Sequence, residues 1–124
     1  MPKRTNDFQQ LVREIQKALH GTSATVEESA MVLNPVSGNR EEIDVLVTFA
    51  QGGMEYRVGF ACRDQGRRGD KDWIRHLAGQ RNDLRLTRMV AVHSQGFSGP
   101  TKKVAEAYHI SLYHLRAQDL LDVA

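Results

Sequence analysis

The sequence has little of several features that would define a class of protein by their presence. Among 124 residues there are one cysteine, three prolines and one tryptophan. The lone Cys62 excludes an internal disulfide and is typical of a reducing compartment. No apolar run approaches the roughly 18 residues that a membrane span needs, and the first residues lead into no signal-like segment. We therefore expect a cytoplasmic protein with no membrane partner.

Patterns of zinc sites and phosphate-binding loops are also missing. The five histidines show no zinc-site spacing, and one cysteine cannot complete a thiolate site. The glycine-containing stretch 96–99 lacks the Lys-Ser/Thr pair of a phosphate loop. Both kinds of site are therefore weak candidates in this sequence.

The composition is that of an ordinary globular protein, with 40% hydrophobic and 26% charged residues. This length predicts one domain over residues 1–124. The net charge is only +2, but residues 57–88 hold nine basic and four acidic residues, a local surplus of 9 − 4 = 5. Such a segment is typical of a polyanion-binding face, although solvated surfaces are often basic too.

Hydrophobic periodicity predicts an α/β protein with the element order α-β-β-β-α-β-α-β-α. The first predicted helix ends at residue 19, and the other three cover 71–80, 100–108 and 117–121. The predicted strands cover 24–33, 43–49, 56–63, 87–93 and 110–115. The second and third strands form a hairpin through the turn Gln51-Gly52-Gly53.

One acid interrupts the apolar pattern of the second strand. The apolar residues there share one face, namely Ile43, Val45, Val47 and Phe49. Asp44 therefore points to the other face, and alternation on the next strand brings Ala61 and Arg63 to the same surface. An acid in such a run is costly to bury without a partner. A metal ion would supply that partner, and a structural ion pair with Arg63 is the alternative.

Five segments along the chain carry a recognisable pattern. They are Leu11-Val12-Arg13-Glu14-Ile15, Ile43-Asp44 after a glycine-containing turn, Ala61-Cys62-Arg63-Asp64, residues 73–81 and residues 90–98. In this order they resemble the Mrr-like restriction endonuclease branch of the PD-(D/E)xK nuclease superfamily. That family usually has Glu where this chain has Ala61, and more often Lys than Arg at position 63.

The resemblance implies a restriction-endonuclease-like fold, a central mixed β-sheet flanked by helices. It also implies hydrolysis of DNA phosphodiesters with Mg²⁺ (or Mn²⁺). Asp44, the missing acid and the Cys62 carbonyl would hold the ion, and Arg63 would contact the phosphate or the attacking water. Glu14 and His76 are carried over as supporting residues outside the direct ligands.

The departure at Ala61 predicts weakened metal binding and strongly reduced cleavage, because one carboxylate remains at the centre. Neither neighbouring acid is expected to replace the missing one, because Glu42 shares the phase of Asp44 but lies two residues earlier and Asp64 has the wrong phase on its strand. Ala61 marks either a natural pseudo-nuclease or an introduced substitution.

DNA is the expected partner, with phosphate contacts from Arg67, Arg68, Lys71 and Arg75. Cleavage of both strands by so small a domain would need a symmetric pair, so we expect a homodimer. Two alternatives stay open: a nuclease similar to Holliday-junction resolvases, and a DNA-binding module that does not cleave.

Overall fold

The computed structural model describes residues 7–116. Within this range the helices are α1 (Asp7–His20), α2 (Lys71–Leu84) and α3 (Gly99–Tyr108). The strands are β1 (Thr25–Leu33), β2 (Arg40–Gln51), β3 (Met54–Arg63), β4 (Arg88–His93) and β5 (Ser111–His114). The order agrees with the predicted one, and the predicted helix at 117–121 lies outside the described residues.

The strands form one mixed sheet in the order β1-β2-β3-β4-β5. The first three strands are antiparallel neighbours, whereas β3, β4 and β5 run parallel. Parallel neighbours need a crossover connection, and α2 and α3 supply the two crossovers. The predicted α/β class and central mixed sheet are confirmed.

Helices cover both faces of the sheet. Val12 of α1 is buried with Val45, Phe60 and Val92 in one apolar cluster. Residues of α2 and α3 form the other cluster, together with Met89 and Ala91 of β4. Strand β4 is therefore covered on both sides, as its uninterrupted apolar run predicts.

Helix α2 has clear ends. The side chain of Asp70 accepts a hydrogen bond from the Trp73 N–H at 2.9 Å, which caps the helix start. The helix ends at Arg85, which adopts a left-handed conformation with φ 56°. The helix extends four residues past the predicted end at Gln80. The prediction ended too early because residues 81–83 are polar, although the last helical turn buries Leu84.

The β2–β3 hairpin turns at Gly52 and Gly53, whose φ angles are 60° and 79°. Two consecutive positive φ angles define the turn type whose twist matches a two-residue hairpin, and glycine adopts them without steric cost. The predicted hairpin is confirmed.

The two hairpin strands separate before they end. Their pairing runs from the turn to Val45 opposite Phe60 and stops there. Beyond that point β2 stays paired with β1, while β3 stays paired with β4. We call the gap between residues 40–44 of β2 and 61–63 of β3 the fork.

The fork also corrects one prediction. Ile43 lies in the α2/α3 cluster, whereas Val45 lies under α1, so the two do not share a face. On β1, Ser29 stands opposite Asp44 with a φ of 54° and is missing from the strand pairing. Regular alternation is lost at this point because β2 leaves β3 and its β1 neighbour is locally distorted.

Candidate active site

The fork opens into a cleft with a volume of about 720 Å³. Its walls come from β2, β3, the loop that follows β3, the first residues of α1 and one face of α2. Asp44, Ala61 and Arg63 all line it, together with His76. The structure therefore places these four predicted residues around one space.

Asp44 is held at the point where the strands part. Its Oδ2 atom accepts a hydrogen bond from the backbone N–H of Cys62 at 2.7 Å. This bond replaces the strand pairing that ends one residue away, and it fixes the carboxylate across the fork. A carboxylate has about four lone-pair sites, so one backbone donor does not use up its capacity to accept.

Arg63 lies over an aromatic ring. Its guanidinium carbon is 4.5 Å from the centroid of the Trp73 indole. The indole is itself 6% exposed and stacks on Phe97 at a centroid distance of 6.3 Å. The stack holds the guanidinium at the edge of the cleft, where it can bind an anion through several N–H groups.

Ala61 takes no polar part in this arrangement. Its methyl group packs against the apolar cluster beneath α2 and α3 while it lines the cleft. Ala61 lies between Cys62, which bonds Asp44, and Phe60, the last residue paired with β2. A longer acidic side chain at this position would enter the cleft beside Asp44.

Helix α2 contributes His76 and Gln80, four residues apart and therefore on one face. Gln80 Nε2 donates to Glu41 Oε1 at 3.1 Å, which ties α2 to β2 across the cleft. Gln80 was missed by sequence reasoning, although its spacing from His76 could have revealed it.

Cys62 takes part through its backbone alone. Burial raises the pKa of its thiol, and the nearby carboxylates of Asp44 and Glu28 raise it further. The thiol is therefore protonated at ordinary pH and is a poor metal ligand. The carbonyl of Arg63 accepts from Ser94 N at 3.0 Å on the β4 side. Since successive carbonyls of a strand alternate between its edges, the Cys62 carbonyl points into the fork.

The charge of the cleft is negative. Asp7, Glu42, Asp44 and Asp64 line it, whereas Arg63 is the single lysine or arginine among its described lining residues. The formal net charge of these five side chains is −3. A phosphate group would be repelled unless a cation accompanied it.

The carboxylates of the cleft decide whether the fork fits a divalent metal ion. Between residues 7 and 116, no group of three or more His, Cys, Asp or Glu residues could hold a metal ion. Mg²⁺, however, is usually bound by one or two carboxylates together with water and substrate phosphate. Asp44 and Glu42 both line the cleft, and Glu42 Oε2 is a buried oxygen with no hydrogen-bond partner among the described residues. These oxygens fit Mg²⁺ or Mn²⁺ and do not fit a structural zinc ion.

Glu14, a predicted supporting residue, lies away from the cleft. It is an exposed residue of α1, bonded to Arg13 at 3.1 Å, and it does not line the cleft. The acid of α1 that lines the cleft is Asp7. The motif placed an acid on the right helix, but two helical turns separate Glu14 from the end of α1 that meets the fork.

The four predicted DNA contacts are all exposed. Arg67 and Arg68 lie in the loop between the cleft-lining residues Asp64 and Gln65 and the start of α2. Arg68 also borders a second groove with Lys102. Arg75 is paired with Asp72 at 3.3 Å, an exposed pair that solvent screens strongly.

None of the helices within residues 7–116 is long and apolar enough to cross a membrane.

Comparison of the sequence with family models and with curated proteins gave no match. Solved structures with similar folds include the following two. One is the crystal structure of a protein of unknown function, AF1548, with a TM-score of 0.68 and 16% identity over 86% of this chain. The other is the MspJI restriction endonuclease in complex with a 27-mer oligonucleotide, with a TM-score of 0.60 and 10% identity over 94% of this chain.

The chain spans 58% of the first structure and 26% of the second. At these identities the similarity shows the fold. The sheet and its flanking helices are restriction-endonuclease-like.

Proposed function

We propose that this chain is a DNA-binding domain of the Mrr-like nuclease type, whose Mg²⁺-dependent hydrolysis of phosphodiesters is strongly reduced by Ala61. The observation that carries the proposal is the Asp44 carboxylate, fixed by Cys62 N–H at the fork beside Ala61 and Arg63. A restriction-endonuclease-like fold and an acidic cleft with one guanidinium support it.

In this proposal Asp44 and the Cys62 carbonyl would hold the divalent ion. Mg²⁺, when bound, polarises the scissile phosphate and lowers the pKa of an attacking water. Arg63 binds a phosphate oxygen and offsets the charge that develops there. Arg63 cannot act as the base, because a guanidinium stays protonated at ordinary pH.

Ala61 decides the level of activity. With a carboxylate at position 61, two acids would face the ion from adjacent strands. With alanine, β3 would offer no side-chain ligand, so the site would define the position of an ion relative to the phosphate less well. Misplacement of a reacting group by about 1 Å can lower a rate by about two orders of magnitude.

In this proposal the basic loop and the start of α2 contact the DNA phosphates that lie outside the cleft. Arg67, Arg68 and Lys71 carry no ion pair among the described residues, so their charges are open to DNA. Arg75 contributes less because Asp72 shares its charge. These contacts would position DNA without reading its sequence.

The deciding experiment compares cleavage by the chain as it stands and by Ala61→Glu. Supercoiled plasmid, linear duplex and a four-way junction are incubated with Mg²⁺ or Mn²⁺, with an EDTA control. Asp44→Asn in the Ala61→Glu background is the matched inactive variant. We expect cutting by Ala61→Glu alone, abolished by EDTA and by Asp44→Asn.

The other outcomes separate the alternatives. Preferential cutting of the junction would assign a role similar to that of a Holliday-junction resolvase. If neither protein cuts while both bind duplex DNA with a steep salt dependence, the chain is a binding module that does not cleave.

We also propose that two copies act on duplex DNA, because one fork can engage one strand at a time. Mass measurement in solution, with and without a short duplex, tests this. A single copy under both conditions would contradict it.

A further inference from the structure

Glu42 is the one carboxylate of the cleft with an unexplained buried oxygen. It precedes Asp44 by two residues on β2 and lines the same cleft. Its Oε2 atom is buried and accepts no hydrogen bond within the described part of the chain. Buried polar atoms without partners are rare, and a missing ion is one of the few explanations for them.

The neighbouring acids of β2, Glu41 and Asp44, both accept hydrogen bonds from nearby donors. Glu41 accepts from Asn34 at 2.6 Å and from Gln80 at 3.1 Å, and these bonds lower the pKa of its carboxyl group. Asp44 accepts from Cys62 N–H. Among these three acids, Glu42 Oε2 is the oxygen left without a donor.

The position of Glu42 suits a shared ligand with Asp44. The two side chains line one cleft, and Cα atoms two residues apart on a strand are separated by about 7 Å. A glutamate is one methylene longer than an aspartate, so its carboxylate can reach back toward the shorter side chain. The two carboxylates come from one strand, and neither depends on position 61.

We propose that Glu42 supplies the second carboxylate of a divalent-cation site with Asp44, in place of the acid missing at Ala61. This inference rests on the proposed function and makes it more specific. The chain as it stands then binds Mg²⁺ or Mn²⁺, although both carboxylates come from β2 and cleavage stays low. Two carboxylates with water in the remaining positions are an ordinary Mg²⁺ arrangement.

Direct binding of Mn²⁺ tests the proposal without reference to cleavage. Free Mn²⁺ is measured by electron paramagnetic resonance against the chain as it stands, Glu42→Gln, Asp44→Asn and Glu55→Gln. Glu55 is exposed near the hairpin turn and gives a matched control. We expect Glu42→Gln to weaken binding about tenfold or more, since even partners outside the ligand set commonly change metal affinity by roughly 10–100-fold.

Thermal unfolding gives an independent readout that also reports folding. Mn²⁺ should raise the Tm of the chain as it stands and of Glu55→Gln, but not that of Glu42→Gln. In EDTA, Glu42→Gln should be at least as stable as the parent, because a neutral amide replaces an unpaired carboxylate. Glu42→Ala serves as a second variant if the amide disturbs folding.

The outcomes distinguish this inference from the function on which it rests. Equal Mn²⁺ affinity of Glu42→Gln and the parent would overturn the role of Glu42. If only Ala61→Glu binds Mn²⁺, and Glu42→Gln in that background does not change it, the inference fails while the proposed function stands. If Ala61→Glu neither binds Mn²⁺ nor cuts DNA, both fail.

Discussion

The guanidinium of Arg63 and the indole of Trp73 form a stacked pair, with 4.5 Å between the guanidinium carbon and the ring centroid. Trp73 lies on α2 and Arg63 ends β3, so the pair joins two walls of the cleft. The stack restricts a long cationic side chain that would otherwise sample many rotamers in solvent.

The first prediction concerns this stack. Trp73→Leu should lower DNA affinity by about 0.5–2 kcal/mol, the usual range for a cation–π contact, whereas Trp73→Phe should lose less. Anisotropy of a labelled duplex measures the affinity, and circular dichroism checks folding because Trp73 is the only tryptophan. In an Arg63→Ala background, Trp73→Leu should have no further effect. An undiminished effect there would show that Trp73 acts through core packing.

The second prediction separates the structural part of Asp44 from its proposed chemistry. Asp44→Asn keeps an oxygen for Cys62 N–H and should change the free energy of unfolding by less than about 0.5 kcal/mol. Asp44→Ala leaves that donor without its partner and should cost about 1–3 kcal/mol. Urea denaturation measures both. Equal stabilities of the two variants would show that the bond to Cys62 contributes nothing.

The third prediction is a pH dependence that arises from His93. This residue is fully buried, its Nδ1 accepts from Gln95 N at 2.9 Å, and the neutral ring therefore carries its proton on Nε2. Burial lowers the pKa of His93, and the positive charge of Arg63 lowers it further. Because the folded pKa lies below the unfolded one, its contribution to stability is present above about pH 6.5 and is lost as the pH falls.

Unfolding between pH 7 and pH 5 should therefore be accompanied by uptake of up to about one proton at His93. His93→Phe, measured by urea denaturation across this range, should flatten the pH dependence of the unfolding free energy. An unchanged slope would contradict a buried neutral His93.

The fourth prediction compares two glycines of one loop. A Cβ atom on Gly69 would lie 2.8 Å from Cε1 of Phe97, whose ring is fixed against Trp73. Gly69→Ala should therefore cost about 1–3 kcal/mol through overpacking. At Gly66 no atom lies within 4 Å of the same position, and Gly66→Ala should stay within about 0.5 kcal/mol. Comparable losses at both sites would rule out packing as the cause.

The fifth prediction concerns the basic loop. Arg68→Ala should reduce the magnitude of the slope of log affinity against log salt by about 0.9, which is the change expected when one phosphate contact is lost. Lys17 is an exposed basic residue of α1, and Lys17→Ala is the matched control with no expected change. Titration of a labelled duplex at several salt concentrations gives both slopes.

Much of the fold could be predicted from the sequence because its elements are marked locally. Gly52 and Gly53 define the hairpin turn, and the unbroken apolar run of β4 indicates a strand covered on both faces. The end of α2 could not be predicted, since residues 81–83 are polar and the left-handed Arg85 is not a glycine. Its conformation is stabilised by backbone bonds to carbonyls of the last helical turn.

The candidate site could be predicted where side chains alternate regularly along the strands, and the prediction failed where that alternation is lost. Asp44, Ala61 and Arg63 reach one cleft as their strand phases predict. Ile43 does not keep its phase, because the fork and the distortion at Ser29 are tertiary features without a local signal. Asp7 lines the cleft and Glu14 does not. A sequence motif cannot show which end of a helix meets the cleft.

The strands lie in the sheet in the order in which the chain makes them. All polar residues of the cleft except Asp7 therefore fall between positions 42 and 80. Contact between Asp44 and Cys62 closes only a short loop, and a tight hairpin of this kind forms within about 1–10 μs. One continuous stretch of chain therefore carries almost all of the polar groups of the cleft. Strand β4 contributes none of them, but it is the strand that pairs with residues 61–63, so it holds that edge of the cleft in place.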